Sequence, residues 1–147
     1  EDLCEQYPET QSLRCVKGAG PITTLAFVLT IEDPSRFRKS RDVGAYLGLV
    51  PRRFESGAKQ QQLGITKAGD KYLRHMLVQA SHYILSARGE DSDLKRFGER
   101  IATRGGKNAK KRAVIAVARK LAVLFHALWI SGEAYQPLRN AGRAAAA

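Results

Sequence analysis

One Ser-Gly pair, Ser56-Gly57, stands in the stretch PRRFESGAKQQQLGITKAGDKYLR, Pro51 to Arg74, among Arg52, Arg53, Lys59, Lys67, Lys71 and Arg74. A serine hydroxyl beside a glycine can come close to a phosphodiester, and nearby cations can neutralise the charge that builds up as the hydroxyl attacks. The same residues also fit a solvated turn, because Ser-Gly is ordinary loop punctuation.

Two further segments have the composition of phosphate contacts. In KGAGPITTLAF, from Lys17, Gly18 and Gly20 precede Pro21 and an apolar run. This is the pattern of a helix-hairpin-helix turn, in which glycine lets backbone amides approach a DNA phosphate at a helix N-terminus. A plain αα-turn would need similar residues. In RGGKNAKKR, Arg104 to Arg112, a double glycine precedes Lys107, Lys110, Lys111 and Arg112. Cations at a helix start oppose the positive end of its dipole, so an anionic partner would relieve a local cost.

Ordinary acid-base or metal chemistry finds little support. His75 and His82 are seven residues apart and share a helix face, but no third ligand has a matching spacing, and His126 lies in an apolar run beside Phe125. Asp91 and Asp93, next to Glu90, read as residues that cap and charge a helix start. Cys4 and Cys15 form neither a disulfide framework nor a CxxC pair, so reduced thiols are expected. No metal site is assigned within this chain.

The elements that must position these groups read as mainly α. Pro21 opens an apolar helix to about Ile31, at a first helical position that suits proline. Asp33-Pro34-Ser35 makes a short turn, and Ser40 is placed to cap a helix carrying Val43, Tyr46 and Leu47 up to Gly48. Residues 49–65 lose that period, and Leu49-Val50-Pro51 and Leu63-Gly64-Ile65 read as two short strands flanking the Ser56 loop.

Asp70 caps a helix with Leu73, Met76, Leu77, Ala80 and Ile84 on one face, ended by Gly89. Asp91 or Ser92 starts a shorter helix with Leu94, Phe97 and Ile101 inward, stopped by Gly105-Gly106. From Asn108, Val114, Val117, Leu121, Leu124 and Leu128 recur at spacings of three and four up to Ser131-Gly132, with Ala118, Ala122, Phe125 and Trp129 widening the face. This is the expected core helix. The tail from Pro137 carries no core pattern and is expected to be mobile.

The chain has 147 residues, with 25 Lys and Arg against 14 Asp and Glu and a net charge of +11. That length fits one domain with a core of its own, and that charge calls for a polyanionic partner. The first 35 residues are acidic on balance, so the positive excess lies in the remainder. No apolar run reads as long enough to span a membrane, and no secretory or transit pattern opens the chain, so nucleic acid is expected over membrane, in the cytoplasm. Met76 is the only methionine and the chain opens on Glu1, which suggests a fragment of a longer protein.

Taken in order, GAGPITTLAFVLTIEDPSRFRKSRDVGAYLGLVPRR, then ESG, then GITKAGDKYLRHMLVQASHYIL, then RGGKNAKKRAVIAVARKLAVLFHALW resemble the C-terminal domain of the insertion sequence 110 family of transposases, DEDD-type recombinases related to the Piv DNA invertases. The resemblance runs from about Val16 to Leu138. It implies an N-terminal RuvC-like domain, absent from these residues, whose four acidic side chains bind magnesium, joined to a C-terminal domain that supplies a serine nucleophile. In the family motif a glycine follows that serine, so the role falls on Ser56 with Gly57, through a transient 5′-phosphoserine link to DNA. The resemblance also implies a structured RNA from the element's own ends as a partner that selects target and donor DNA, and a homo-oligomer at full length.

The resulting reading is a compact, mainly α domain with a helix-hairpin-helix-like N-terminal part and a short extended or hairpin segment around residues 49–65. Residues 1–15 are an extension or linker, 16–138 the transposase domain and 139–147 a mobile tail. A non-catalytic helix-hairpin-helix module that grips DNA backbone is the alternative, and an RNA-binding architectural protein a third reading from charge alone. Ser81 and Ser40 are the next nucleophile candidates after Ser56.

Overall fold

The computed structural model describes residues 2–56 and 59–141, with side chains described outside 53–63. Two short helices, α1 (Asp2–Glu5) and α2 (Glu9–Arg14), lead through a glycine hairpin into α3 (Pro21–Ile31). A 3-10 turn, Pro34–Arg36, and α4 (Asp42–Tyr46) precede an antiparallel ribbon of β1 (Pro51–Ser56) and β2 (Lys59–Ile65). Three longer helices follow, α5 (Lys71–Leu85), α6 (Asp93–Thr103) and α7 (Ala109–Ser131). The architecture is mainly α, as the periodicity predicts.

The central element is α7, which packs against α2, α4, α5, α6 and the 3-10 turn. Being enclosed on several sides, it buries more than one stripe. Val117, Leu121, Phe125 and Leu128 form one row, and Ala113, Ala118, Ala122 and His126 extend it around the helix. Val114 and Leu124, expected in the core, are only half-buried. The three-four spacing picks out one edge of the wide face, whereas small alanines at its centre let neighbouring helices approach closely. Phe27 of α3 meets Phe125 edge-on at 5.2 Å and Trp129 at 6.4 Å, which ties α3 to α7.

Helix α7 is also long and apolar enough to cross a membrane by length and composition, with a mean hydropathy of 1.8 over its most apolar window. The expectation that no apolar run reaches that length is therefore corrected. Half of that window is buried inside the bundle, so its apolarity is used in packing against the other helices.

Several local signals hold and others shift. Asp70 Oδ1 accepts from the Leu73 amide at 2.6 Å, as a cap should, and Ser92 Oγ accepts from the Lys95 amide at 3.1 Å. Helix α5 stops at Leu85, four residues before Gly89, with Ser86 as its cap. Ser40 does not cap α4, since Arg41 is the flanking residue and no side-chain cap forms; the Ser40 hydroxyl is engaged by His126. Residues 2–14, set apart in the sequence as an extension or linker, place Cys4, Thr10 and Leu13 in buried positions. The tail folds back at its start: the Asp93 amide donates to the Pro137 carbonyl at 2.7 Å, and Asp93 Oδ2 accepts from the Asn140 amide at 2.9 Å. Residues 142–147 lie outside the described residues.

Candidate nucleic-acid interface

The Ser56 segment is built from its root outward. Lys67 N–H donates to the Gly48 carbonyl at 3.1 Å and Thr66 N–H to the Val50 carbonyl at 3.0 Å, so the chain leaving β2 is bonded to the chain entering β1. Gly48 and Gly69 both have positive φ, 72° and 79°, and a Cβ on either would run into the opposing backbone, at Ala68 and Tyr46 respectively. Glycine is required at both positions for this close approach. Arg74 Nη1 donates to the Leu47 carbonyl at 3.2 Å and the Ala68 carbonyl at 2.9 Å, bracing α5 against the root.

From that root the ribbon runs with Pro51 opposite Ile65, Arg53 opposite Gln62 and Ser56 opposite Lys59, with a register shift between Pro51 and Arg53. The strands are longer than Leu49–Pro51 and Leu63–Ile65, and Ser56 is the last residue of β1, where the sequence places it inside a loop. Among the described residues the ribbon's two strands pair only with each other. PRRFES and KQQQLGI therefore need no apolar alternation, and the usual strand signal is weak. The Ser56, Arg53 and Lys59 side chains and Gly57 lie outside the described residues.

Of the cations assigned to this site, Arg52 is exposed as the second residue of β1, Lys67 is exposed two residues beyond β2, and Lys71 is exposed at the start of α5. All three sit at the root end of the ribbon. Arg74 is half-buried there with one guanidinium nitrogen committed to carbonyls.

The glycine hairpin separates two glycines of different kinds. Gly18 has φ 99°, a conformation that favours glycine, and a Cβ there would also crowd the Ile84 and Tyr83 side chains at 3.0 Å where the hairpin packs on α5. Gly20, the residue flanking α3, has φ −80° and nothing within 4 Å of where a Cβ would stand. The fold does not need glycine at that position. A groove of about 440 Å³ runs along this hairpin, lined by Lys17, Gly18, Gly20, Thr23, Gln79 and Tyr83 among others.

At the start of α7, Lys107, Lys110, Lys111 and Arg112 are all exposed. Gly105 and Gly106 take φ 77° and 98°, and Arg112 Nη2 donates to the Gly105 carbonyl at 3.0 Å, which fixes the turn to the helix. Lys110 and Lys111 border a cleft of about 430 Å³ with His82, Glu99 and Val114.

His75 and His82 are exposed on α5. Asp91 accepts from Arg96 Nε at 2.9 Å and Nη2 at 2.7 Å, and this hydrogen bonding holds its carboxyl below the usual aspartate range. Among the described residues no group of three His, Cys, Asp or Glu side chains could hold a metal ion. Ser81 is fully buried, with its hydroxyl donating to the Leu77 carbonyl at 2.8 Å, so it cannot reach DNA. Ser40 is half-buried and bonded to His126.

The sequence reading passed over a larger cleft of about 700 Å³ between α4, α6, α7 and the folded-back tail, where Arg41, Arg96, Arg100, Arg119, Lys120 and Arg139 converge. Arg96 and Arg100, four apart on α6, were its one visible signal.

Residues 10–97 match the family model described as Transposase IS116/IS110/IS902 family, more than half of the chain. The chain belongs to this transposase family. It is 33% identical over 129 residues to the transposase for insertion sequence element IS1111A of Coxiella burnetii, covering 87% of this chain and 35% of that protein. It is 38% identical over 93 residues to the transposase for insertion sequence element IS1328 of Yersinia enterocolitica, covering 54% of this chain and 28% of that protein. A pilin gene-inverting protein of Moraxella lacunata is 29% identical over 119 residues, covering 79% and 35%. The chain thus spans about a third of the length of these relatives.

Proposed function

We propose that this chain is the DNA-binding and serine-nucleophile domain of an insertion-sequence transposase and acts in DNA transposition. The observation that carries the reading is family membership together with the position of Ser56, the last residue of β1 on a ribbon whose root is locked by Gly48, Gly69 and Arg74. Relatives named for insertion-element transposition and for gene inversion support it, since both processes cut and rejoin DNA strands.

In the proposed step, Ser56 Oγ attacks a DNA phosphorus. The new serine O–P bond forms as the P–O3′ bond breaks, the serine hydroxyl gives up its proton, the leaving 3′-oxygen takes up one proton to become a hydroxyl so that no net proton is gained or lost, and the 5′-phosphate stays on the enzyme. The link remains a phosphodiester, so rejoining is the same displacement in reverse. Arg52, Arg53, Lys59, Lys67 and Lys71 supply positive charge along the ribbon and its root. Magnesium would add charge stabilisation at the phosphate, held by the acidic side chains of a RuvC-like domain outside these residues.

Backbone gripping falls to Gly18, Gly20 and the basic start of α7. The open space at Gly20, where the fold makes no demand for glycine, suits close approach of a phosphate to the α3 N-terminus. An element-encoded RNA and further copies of the full-length protein complete the proposed assembly, in the bacterial cytoplasm at the nucleoid.

The alternative, a non-catalytic helix-hairpin-helix module, shares the Gly20 observation and differs in one result. In the complete transposase, Ser56→Ala should leave DNA affinity within about twofold and abolish strand exchange, because only a hydroxyl is removed. Unchanged strand exchange in the variant would favour the non-catalytic module.

A further inference from the structure

The cleft between α4, α6, α7 and the tail has a composition that none of the preceding chemistry uses. Its cations are unevenly committed. Arg96 is bonded to Asp91 and Arg139 to Glu133. Lys120 Nζ lies 4.1 Å from the centre of the Phe97 ring. Among the described residues, the guanidiniums of Arg41, Arg100 and Arg119 make no hydrogen bond or ion pair. The acids lining the cleft are Asp42 and Asp93, and Asp93 already accepts from the Asn140 amide.

Arg119 is fixed by its stem. A Cβ on Gly44 would fall 2.8 Å from Arg119 Cγ, so the glycine in α4 makes room for that side chain against the helix. Apart from Gln136 and Asn140 of the tail, the rest of the lining is apolar or aromatic, with Val123, Leu124, Ala127, Phe97 and Tyr135 all half-buried. Burial, and after it the charge of Asp93, holds the Tyr135 phenol above its ordinary range.

We propose that this cleft is a binding site for a single-stranded nucleic-acid segment, with Arg41, Arg100 and Arg119 on its phosphates and Phe97 and Tyr135 against its bases. This rests on the reading of the chain as a DNA-acting transposase domain. Six cations converge with only two acids in the lining, and three of the arginines make no ion pair among the described residues, so an excess of positive charge is left for a polyanion. The apolar, aromatic floor selects the form of that polyanion: a duplex keeps its bases stacked inside and would leave the floor uncovered, whereas an unpaired strand offers phosphates and base faces together.

The location is consistent with a role in strand handling. Val50, which lines the cleft, directly precedes β1, and Ser56 lies five residues beyond Pro51, about 17 Å away at the usual strand rise. A strand opened near Ser56 could therefore continue a few nucleotides into the cleft.

The test uses dye-labelled oligothymidylate and oligouridylate of one length, and a duplex of that length, in anisotropy titrations over a range of salt. Arg100→Gln with Arg119→Gln should flatten the log affinity against log salt slope for the single strands by about 1.4, from about 0.7 for each phosphate neutralised. Duplex binding should change less. The lysine pair Arg100→Lys with Arg119→Lys should retain most of the slope, and unchanged circular dichroism melting verifies folding.

A photoreactive 5-iodouracil in the strand should cross-link to the peptide holding Phe97 or Tyr135. Preference for the thymidylate or the uridylate would identify DNA or RNA as the source of the strand, and either supports the site. An unchanged slope, cross-links confined to residues 17–24 or 107–112, or competition by an acidic peptide without oligonucleotide binding would overturn it. Repeating the cross-link with Ser56→Ala keeps the two readings apart, because the cleft should still label when the nucleophile is gone.

Discussion

His126 Nδ1 lies 2.8 Å from the Ser40 hydroxyl, although the two residues are 86 positions apart. The other ring nitrogen, Nε2, is 2.8 Å from the Pro34 carbonyl, which can only accept, so Nε2–H donates to it, and in the neutral ring Nδ1 accepts from Ser40. Phe37 packs edge-on over the same ring at 5.7 Å. The buried histidine of the core helix thereby holds the segment between α3 and α4 in place. Its two polar atoms are satisfied by that segment and not by a metal or substrate.

Removing the hydroxyl leaves a fully buried ring nitrogen without its partner. Ser40→Ala should therefore cost about 1–3 kcal/mol of stability, measured by chemical denaturation. Covalent chemistry on DNA should survive in a complete protein kept below its melting temperature. A variant as stable as the parent would show that the pair contributes nothing.

Helix α7 gives a second stability test. Leu121 is fully buried and Leu121→Ala should cost about 2–5 kcal/mol, since the surrounding helices cannot close the cavity. Val114, on the edge of the helix face, should lose about 1 kcal/mol or less on truncation to Ala. Equal losses at both positions would contradict the assigned core.

These two examples show how far the sequence carries. Helices α3, α5, α6 and α7 were legible because their caps and periodicity are local: Pro21, Asp70, Ser92 and Gly132 act within a turn of where they stand. The Ser40–His126 bond was not legible, because a serine near a helix start reads as a cap until a distant residue claims its hydroxyl. Arg74 reads from the sequence as one more phosphate ligand, and its Nη1 bonds to the Leu47 and Ala68 carbonyls were not legible for the same reason. The ribbon was seen in outline but not in length, since strands that pair only with each other need no apolar alternation. The arginine-lined cleft draws its residues from four parts of the chain and has no sequence signature beyond Arg96 and Arg100.

The basic start of α7 should show in salt dependence. Charge reversal at Lys110 and Lys111 should weaken duplex DNA binding and flatten its log-log salt slope by about 0.9 for each phosphate that is no longer neutralised. Anisotropy over a range of salt measures this. An unchanged slope would place the duplex surface elsewhere, with the glycine hairpin the first alternative.

Tyr135 predicts an alkaline effect. Its phenol is held above the ordinary value near 10 by burial and by Asp93, so the folded state binds that proton more tightly than the unfolded chain. The associated stability is fully present below the unfolded value, and is lost as pH rises from there through the raised folded value. Thermal melts between neutral pH and the alkaline range should show this loss in the parent, and a smaller one in Tyr135→Phe. A parent and variant with the same alkaline profile would contradict the assigned burial.

The central claim is that Ser56 forms the covalent link to DNA. The direct measurement is mass spectrometry of the peptide released from a denatured reaction of the complete transposase on labelled DNA, after nuclease digestion. The account predicts a nucleotide joined through its 5′-phosphate to Ser56, and no adduct in Ser56→Ala. An adduct on another residue, or one that persists in Ser56→Ala, would contradict it.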